Sequence, residues 1–88
     1  MPAERFIRIE RELKSKWGAI PLGEKVRVWE FASAVSDDGE PRMLFHIGYL
    51  ETVARGQRVK YLGQTFPVLE VSDSKRLIGL ELSCRGHA

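Results

Sequence analysis

Turn signals interrupt residues 25–85 about every ten to fifteen positions, and this punctuation constrains the fold more than any other feature. Between the turns, apolar side chains recur at alternate positions, which is typical of half-buried strands in a small antiparallel barrel or sandwich. The alternation fails around Trp29, which predicts a bulge there or burial on both faces. Gly63 followed by Gln64 predicts a two-residue hairpin turn of type II′. The predicted strands cover residues 25–35, 42–53, 58–62, 65–71 and 77–85.

The first seventeen residues show a different period. Phe6, Ile9, Leu13 and Trp17 recur at the spacing of one helical face, which predicts a helix over about residues 4–17. Acid-to-base pairs four residues apart, such as Glu10 with Lys14, favour the same structure. The expected fold class is therefore α+β and mostly β. A single domain over residues 1–88 is predicted, with the N-terminal helix packed on a five-stranded antiparallel barrel or sandwich of SH3 or OB size.

Composition excludes several classes of protein. The chain has 88 residues, a net charge of +2 and no apolar run long enough to span a bilayer, so we expect no membrane partner. Its single cysteine excludes an internal disulfide framework and favours a reducing compartment, and the charged N-terminal stretch is unlike a signal peptide. Basic residues are in excess before residue 18 and after residue 54, while acidic residues are in excess between them. Such a distribution would allow copies of the chain to stack on each other.

Few side chains suggest catalysis or metal binding. His46 is predicted to face solvent from a strand and His87 to lie in a frayed tail, so a shared metal site is not expected. Cys84 continues an apolar strand series and is predicted to be a small buried hydrophobe. The acidic residues around Gly39 lack the ligand spacing of a calcium loop and predict a solvated turn. We therefore expect no enzyme activity, no catalytic residues, no metal and no cofactor.

A nucleic-acid-binding barrel is an alternative, because such barrels combine aromatic and basic side chains on one surface. Arg27, Trp29 and Phe31 would form a stacking platform. Three further basic residues would follow the backbone of a single strand: Arg55, Arg58 and Lys60.

Four segments carry a resemblance to a known family. They are residues 17–24 (Trp-Gly-Ala-Ile-Pro-Leu-Gly-Glu), 45–49 (Phe-His-Ile-Gly-Tyr), 56–71 (with Arg-Val-Lys-Tyr-Leu-Gly) and 80–84 (Leu-Glu-Leu-Ser-Cys), with Leu77 just before the last. The region from 45 to 85 resembles the C-terminal half of the head–tail connector proteins of tailed bacteriophages, also called adaptor, stopper or joining proteins. Most members of that family open with a β-hairpin, whereas a helix is predicted here.

The resemblance implies a structural protein that forms a ring under the capsid portal, joins it to the tail and gates the DNA channel. Its partners would be other virion proteins (portal, tail or neighbouring connector) and further copies of itself, with nucleic acid met only as it passes the channel and no small-molecule substrate. Its location would be the virion or the bacterial host cytoplasm. Exposed strand edges and two charged groups would form the interfaces. The first group, on the outer face of the helix, is Arg5, Arg8, Arg11 and Lys14; the second, around the turn, is Asp37, Asp38, Glu40 and Arg42. A phage-encoded inhibitor of a host protein is a further alternative.

Overall fold

The computed structural model describes residues 5–75 and 78–86, and in these residues the chain is all-β. Seven strands follow one another along the chain. They are β1 (Arg5–Leu13), β2 (Lys16–Ala19), β3 (Val26–Val35), β4 (Pro41–Ile47), β5 (Arg58–Tyr61), β6 (Gln64–Asp73) and β7 (Leu80–Arg85).

Six of the strands close into an antiparallel barrel. Their order is β1-β3-β4-β7-β6-β5, and β5 pairs back to β1. β1 pairs with β3 through its first residues and with β5 through its middle. β6 likewise pairs with β5 through its first residues and with β7 through its later ones. β2 stands outside this closed circuit and pairs with β1 alone among the described strands. The β1–β2 hairpin therefore extends beyond the barrel wall.

The predicted N-terminal helix is wrong, and with it the α+β class. Ile7 and Ile9 are buried at the two-residue period of a strand, and no helix occurs in residues 5–75 or 78–86. Lys14 and Ser15 both have left-handed φ angles, 52° and 66°, and form the two-residue turn of a hairpin. This is the pattern of a type I′ turn, which matches the twist of the flanking strands. Closing the barrel outweighs the few tenths of a kcal/mol that acid–base pairs contribute to a helix.

The remaining strands lie close to their predicted places. β4 ends at Ile47 instead of residue 53, because residues 48–57 form loops that bury Val53. β7 begins at Leu80, and Leu77 lies outside the described residues. The β5–β6 turn uses Leu62 and Gly63, whose φ angles are 50° and 78°, so it is of type I′ rather than the predicted type II′.

The predicted bulge near Trp29 is confirmed. The pairing of β3 with β4 shifts between Val28 and Glu30, so Trp29 points outward and its side chain is 55% exposed. A second shift, between Val68 and Glu70, follows Pro67 where β6 passes from β5 to β7.

The barrel interior is apolar and centred on aromatic rings. Phe45 is fully buried and lies 5.6 Å from Phe66 and 5.9 Å from Tyr61 between ring centroids, in edge-to-face arrangements. Such contacts add to the free energy of burying the rings themselves. Phe31 completes the cluster 5.7 Å from Tyr61.

One backbone contact in the wall excludes any side chain. Gly79 has a φ angle of 148°, and a Cβ atom at this position would overlap the carbonyl oxygen of Ile47. The start of β7 can therefore approach β4 only with glycine at residue 79.

Candidate protein-interaction surfaces

A buried carboxylate fixes the hairpin to the barrel. Glu10 is 7% exposed and lies opposite both Ala19 of β2 and Arg58 of β5. Its Oε1 accepts a hydrogen bond of 2.7 Å from Nε of Arg58, and its Oε2 accepts one of 2.8 Å from Nε of Arg8. Burial raises the pKa of Glu10, but the hydrogen bonds from Arg58 and Arg8 outweigh it, and the net pKa lies below its ordinary value. Glu10 is therefore held as the anion between two cations.

Arg58 also contacts β2 through an aromatic ring. Its guanidinium carbon lies 4.2 Å from the ring centroid of Trp17, in the geometry of a cation–π contact. Trp17 is 36% exposed, so it covers Arg58 without entering the core. A groove of about 400 Å³ opens beside this pair, lined on its other side by Pro67, Val68 and Leu69.

The outer part of the hairpin is a basic projection. Every residue from 11 to 18 is exposed, including Leu13. Residues 11–16, which we call the basic tip, carry three cations (Arg11, Lys14 and Lys16) against Glu12. The tip combines positive charge with an exposed aliphatic side chain.

An acidic projection lies between β3 and β4. Residues 36–40, which we call the acidic turn, carry three carboxylates and no cation. The carboxylate of Asp38 accepts hydrogen bonds from the hydroxyl of Ser36 and, at 3.1 Å, from the backbone N–H of Glu40. The bond from Ser36 is the main cause that lowers the pKa of Asp38, and the bond from Glu40 follows. The predicted solvated turn is thus an ordered loop whose charge persists at neutral pH.

The two projections point in opposite directions. β1 runs antiparallel to β3, with Arg5 opposite Val28 and Ile7 opposite Val26. The basic tip follows the end of β1 and the acidic turn follows the end of β3, so each strand leads away from the other's projection. The barrel therefore carries opposite charges at opposite ends.

The basic residues predicted on one helical face do not form a face. Arg5 covers the ring of Phe31, with 4.4 Å from guanidinium carbon to ring centroid, and Arg8 is bound to Glu10 and lies 3.7 Å from Glu24. Arg11 and Lys14 belong to the basic tip instead. Arg42 lies on β4 next to the acidic turn, and its Nη1 donates to the carbonyl oxygen of Pro41 at 3.3 Å.

An exposed aromatic patch was not predicted as such. Leu22, Trp29 and Tyr49 are all exposed around a groove of about 280 Å³. The guanidinium carbon of Arg27 lies 4.0 Å from the ring centroid of Trp29. Phe31 does not join this patch, because it packs against Phe45 with 6.5 Å between centroids. The signal in the sequence was the broken alternation at Trp29.

The histidine and cysteine predictions have different outcomes. The expectation that His46 faces solvent is wrong: it is 4% exposed, its Nδ1 lies 3.0 Å from the Ser74 hydroxyl and its Nε2 lies 3.5 Å from Oε1 of Glu81. The segment after β6 covers a position that the strand pattern places outside. Cys84 is fully buried as predicted, and burial raises the pKa of its thiol to about 12. His87 lies outside the described residues.

Two further findings concern ligands and membranes. Residues 5–75 and 78–86 contain no cluster of three or more histidine, cysteine, aspartate or glutamate side chains placed to hold a metal ion. The same residues contain no helix that is long and apolar enough to cross a lipid bilayer.

No protein-family model, no curated protein and no solved structure matches the chain.

Proposed function

We propose that this chain is a non-enzymatic structural component of a phage or prophage particle, where a ring of copies joins the capsid portal to the tail. The observation that carries the proposal is the β1–β2 hairpin at the start of the barrel. The resemblance to head–tail connectors implies such a hairpin, whereas the residue pattern pointed to a helix. The fold contains this hairpin, which the residue pattern did not predict, and the agreement with most connector proteins supports the proposal.

The residues that carry the resemblance have clear structural roles. Val59 and Phe66 are buried on β5 and β6, Gly63 supplies a left-handed turn residue, and Leu82 and Cys84 are buried on β7. These positions build the barrel and its turns. The contacts with portal, tail and neighbouring copies are therefore assigned to the projections and to the exposed aromatic patch.

Ring assembly needs two different, complementary surfaces on each copy, because a ring repeats one head-to-tail contact. The basic tip and the acidic turn are such a pair of surfaces, with opposite charge and opposite direction. Complementary charge steers copies into the correct orientation and discourages like surfaces from meeting.

The test is deletion of this chain from the phage or prophage that encodes it. We expect electron microscopy of the lysate to show DNA-containing heads and free tails that are not joined. Expression of the intact chain from a plasmid should restore joined particles, and labelled antibody should mark the junction. Infectious, complete particles formed without the chain would contradict the proposal.

The exposed aromatic patch supports a second candidate, a nucleic-acid-binding barrel. Trp29 and Tyr49 offer ring faces to stacking bases, with Arg27 beside them. Titration with short single-stranded DNA should then quench tryptophan fluorescence, with affinity that falls steeply as salt rises. Trp29→Ala should abolish the binding and Trp17→Ala should not. Absence of binding at low salt would contradict this candidate.

A further inference from the structure

β2 and the later part of β3 each have an edge without a partner in the described part of the chain. β2 pairs with β1 along one edge, and no described strand pairs with the other. β3 pairs with β4 along one edge, and the described part of β1 covers the opposite edge at residues 26–28. Unpaired N–H and C=O groups on such edges are templates for another strand.

The later part of β3 lacks the features that usually protect an edge. Residues 31–35 (Phe-Ala-Ser-Ala-Val) contain neither a charge nor a proline, and Val35 is 72% exposed. Lysine, proline or a bulge would normally prevent pairing with another chain. The bulge of β3 lies before this segment, between Val28 and Glu30, and leaves residues 31–35 in regular register with β4.

We propose that β2 of one copy adds antiparallel to the free edge of β3 in the next copy, with Lys16 opposite Val35 and Ala19 opposite Ala32. This is strand addition between identical chains. The contact would be the repeating interface of the ring, and for that biological role the inference rests on the proposed connector function.

Charge selects the antiparallel direction. With Lys16 opposite Val35, the basic tip continues past the end of β3 and lies beside the acidic turn of the neighbour. A parallel strand would instead place the tip along the body of β3, near the single carboxylate of Glu30, and leave the three carboxylates of the turn unopposed. Pairing of opposite charges therefore favours the antiparallel register over the parallel one.

Side-chain size agrees with the same register. It places Trp17 opposite Ala34 and Gly18 opposite Ser33, so the aromatic side chain of β2 meets a small one. Residues directly opposite each other in a pair share a face of the sheet. Leu13, which lies opposite Lys16 in its own hairpin, would therefore share a face with Val35 of the neighbour, and the contact would cover two exposed aliphatic side chains.

The contact joins β2 of one copy to β3 of another, so a two-fold axis through the contact cannot relate the two copies. The tip and the turn point in opposite directions, so each copy uses its tip on one neighbour and its turn on the other. A heterologous contact of this kind generates a ring or a filament.

Oxidative cross-linking tests the register in the full chain. The double variant Lys16→Cys with Val35→Cys should give a ladder of disulfide-linked dimers, trimers and larger species on a non-reducing gel, at millimolar protein concentration and low salt. The matched control is Lys16→Cys with Ala32→Cys, the pair that a parallel strand would bring together. Lys16, Ala32 and Val35 are all exposed, and the buried Cys84 should not react. Absence of a ladder from the first variant, or equal ladders from both, would overturn the proposal.

Charge reversal tests the electrostatic part of the contact. Lys14→Glu and Asp37→Lys, each added to the Lys16→Cys with Val35→Cys variant, should lower the cross-link yield by about two- to fivefold, the range of an exposed ion pair. The two reversals combined should restore it, and a combined yield below either single yield would overturn this pairing of the tip with the turn.

A ladder from a chain whose deletion leaves particles intact would refute the connector function alone. Unjoined particles after deletion, with no ladder, would refute this interface alone.

Discussion

The barrel wall around β4 and the β1–β2 hairpin differ in almost every physical respect. Phe45, His46 and Ile47 of β4 are all buried, with strands on both sides, whereas residues 11–18 of the hairpin are all exposed. The wall is held by packed rings and aliphatic side chains. The hairpin is held at its base by Glu10, Arg58 and Trp17. The wall supplies stability, and we propose that the hairpin serves interaction, so substitutions should separate the two.

The largest effect should come from the wall. Phe45→Ala removes a fully buried ring that contacts Phe66 and Tyr61, and we expect a loss of about 3–5 kcal/mol in the free energy of unfolding. In a domain of this size such a loss approaches the whole stability. Urea denaturation followed by circular dichroism measures it. A loss below about 1 kcal/mol would break the comparison, because the wall would then not be the stabilising region.

The next effect should come from the base of the hairpin. Glu10→Gln keeps the size of the side chain but removes the charge that Arg58 and Arg8 share, and should cost about 1–3 kcal/mol. Glu12→Gln, on the exposed part of the same hairpin, is the matched control and should cost little. Equal losses from the two variants would show that burial of Glu10 has no special role.

The same carboxylate predicts a pH dependence. The pKa of Glu10 is lower in the folded chain than its ordinary value of 4.5. Its contribution to stability is therefore complete above that value and is lost as pH falls through the lower folded pKa. Denaturation at a series of pH values should show a smaller loss of stability on acidification for Glu10→Gln than for the wild type. An equal loss of stability on acidification in the two proteins would refute this role of Glu10.

Trp17→Ala should have a smaller effect. The ring is partly exposed and contacts Arg58 without reaching the core, so we expect a loss of about 1–2 kcal/mol instead of the 3–5 kcal/mol of a fully buried tryptophan. Thermal unfolding by calorimetry would measure the change. A loss as large as that of Phe45→Ala would mean that the hairpin is part of the core.

The smallest effect should come from the acidic turn. Asp38 is exposed and its carboxylate accepts hydrogen bonds from Ser36 and Glu40 of its own turn, so Asp38→Ala should leave the melting temperature unchanged within error. The same substitution should nevertheless weaken self-association, which light scattering at low salt would detect. Loss of folding would show that the turn has a structural role.

The sequence predicted the strands from residue 25 onward because alternation and turn residues act locally. It failed for the first strand because Lys14 and Ser15 adopt left-handed conformations with neither glycine nor asparagine to signal a turn. The placement of Asp37 and Asp38 in an exposed turn needed only the local signal of Gly39. The bond between Glu10 and Arg58 joins residues 48 positions apart, and only closure of the barrel through β1 and β5 brings them together. Long-range pairing of this kind leaves no periodic trace in the chain.

Gly79 has an evolutionary consequence. Related chains can drift at the exposed positions of the tip and turn, and even core side chains can be exchanged for others of similar volume. No exchange is open at residue 79, where the neighbour is a carbonyl oxygen of the main chain and glycine is already the smallest residue. In relatives too diverged to recognise by overall similarity, a glycine immediately before the last strand is the feature that we expect to persist.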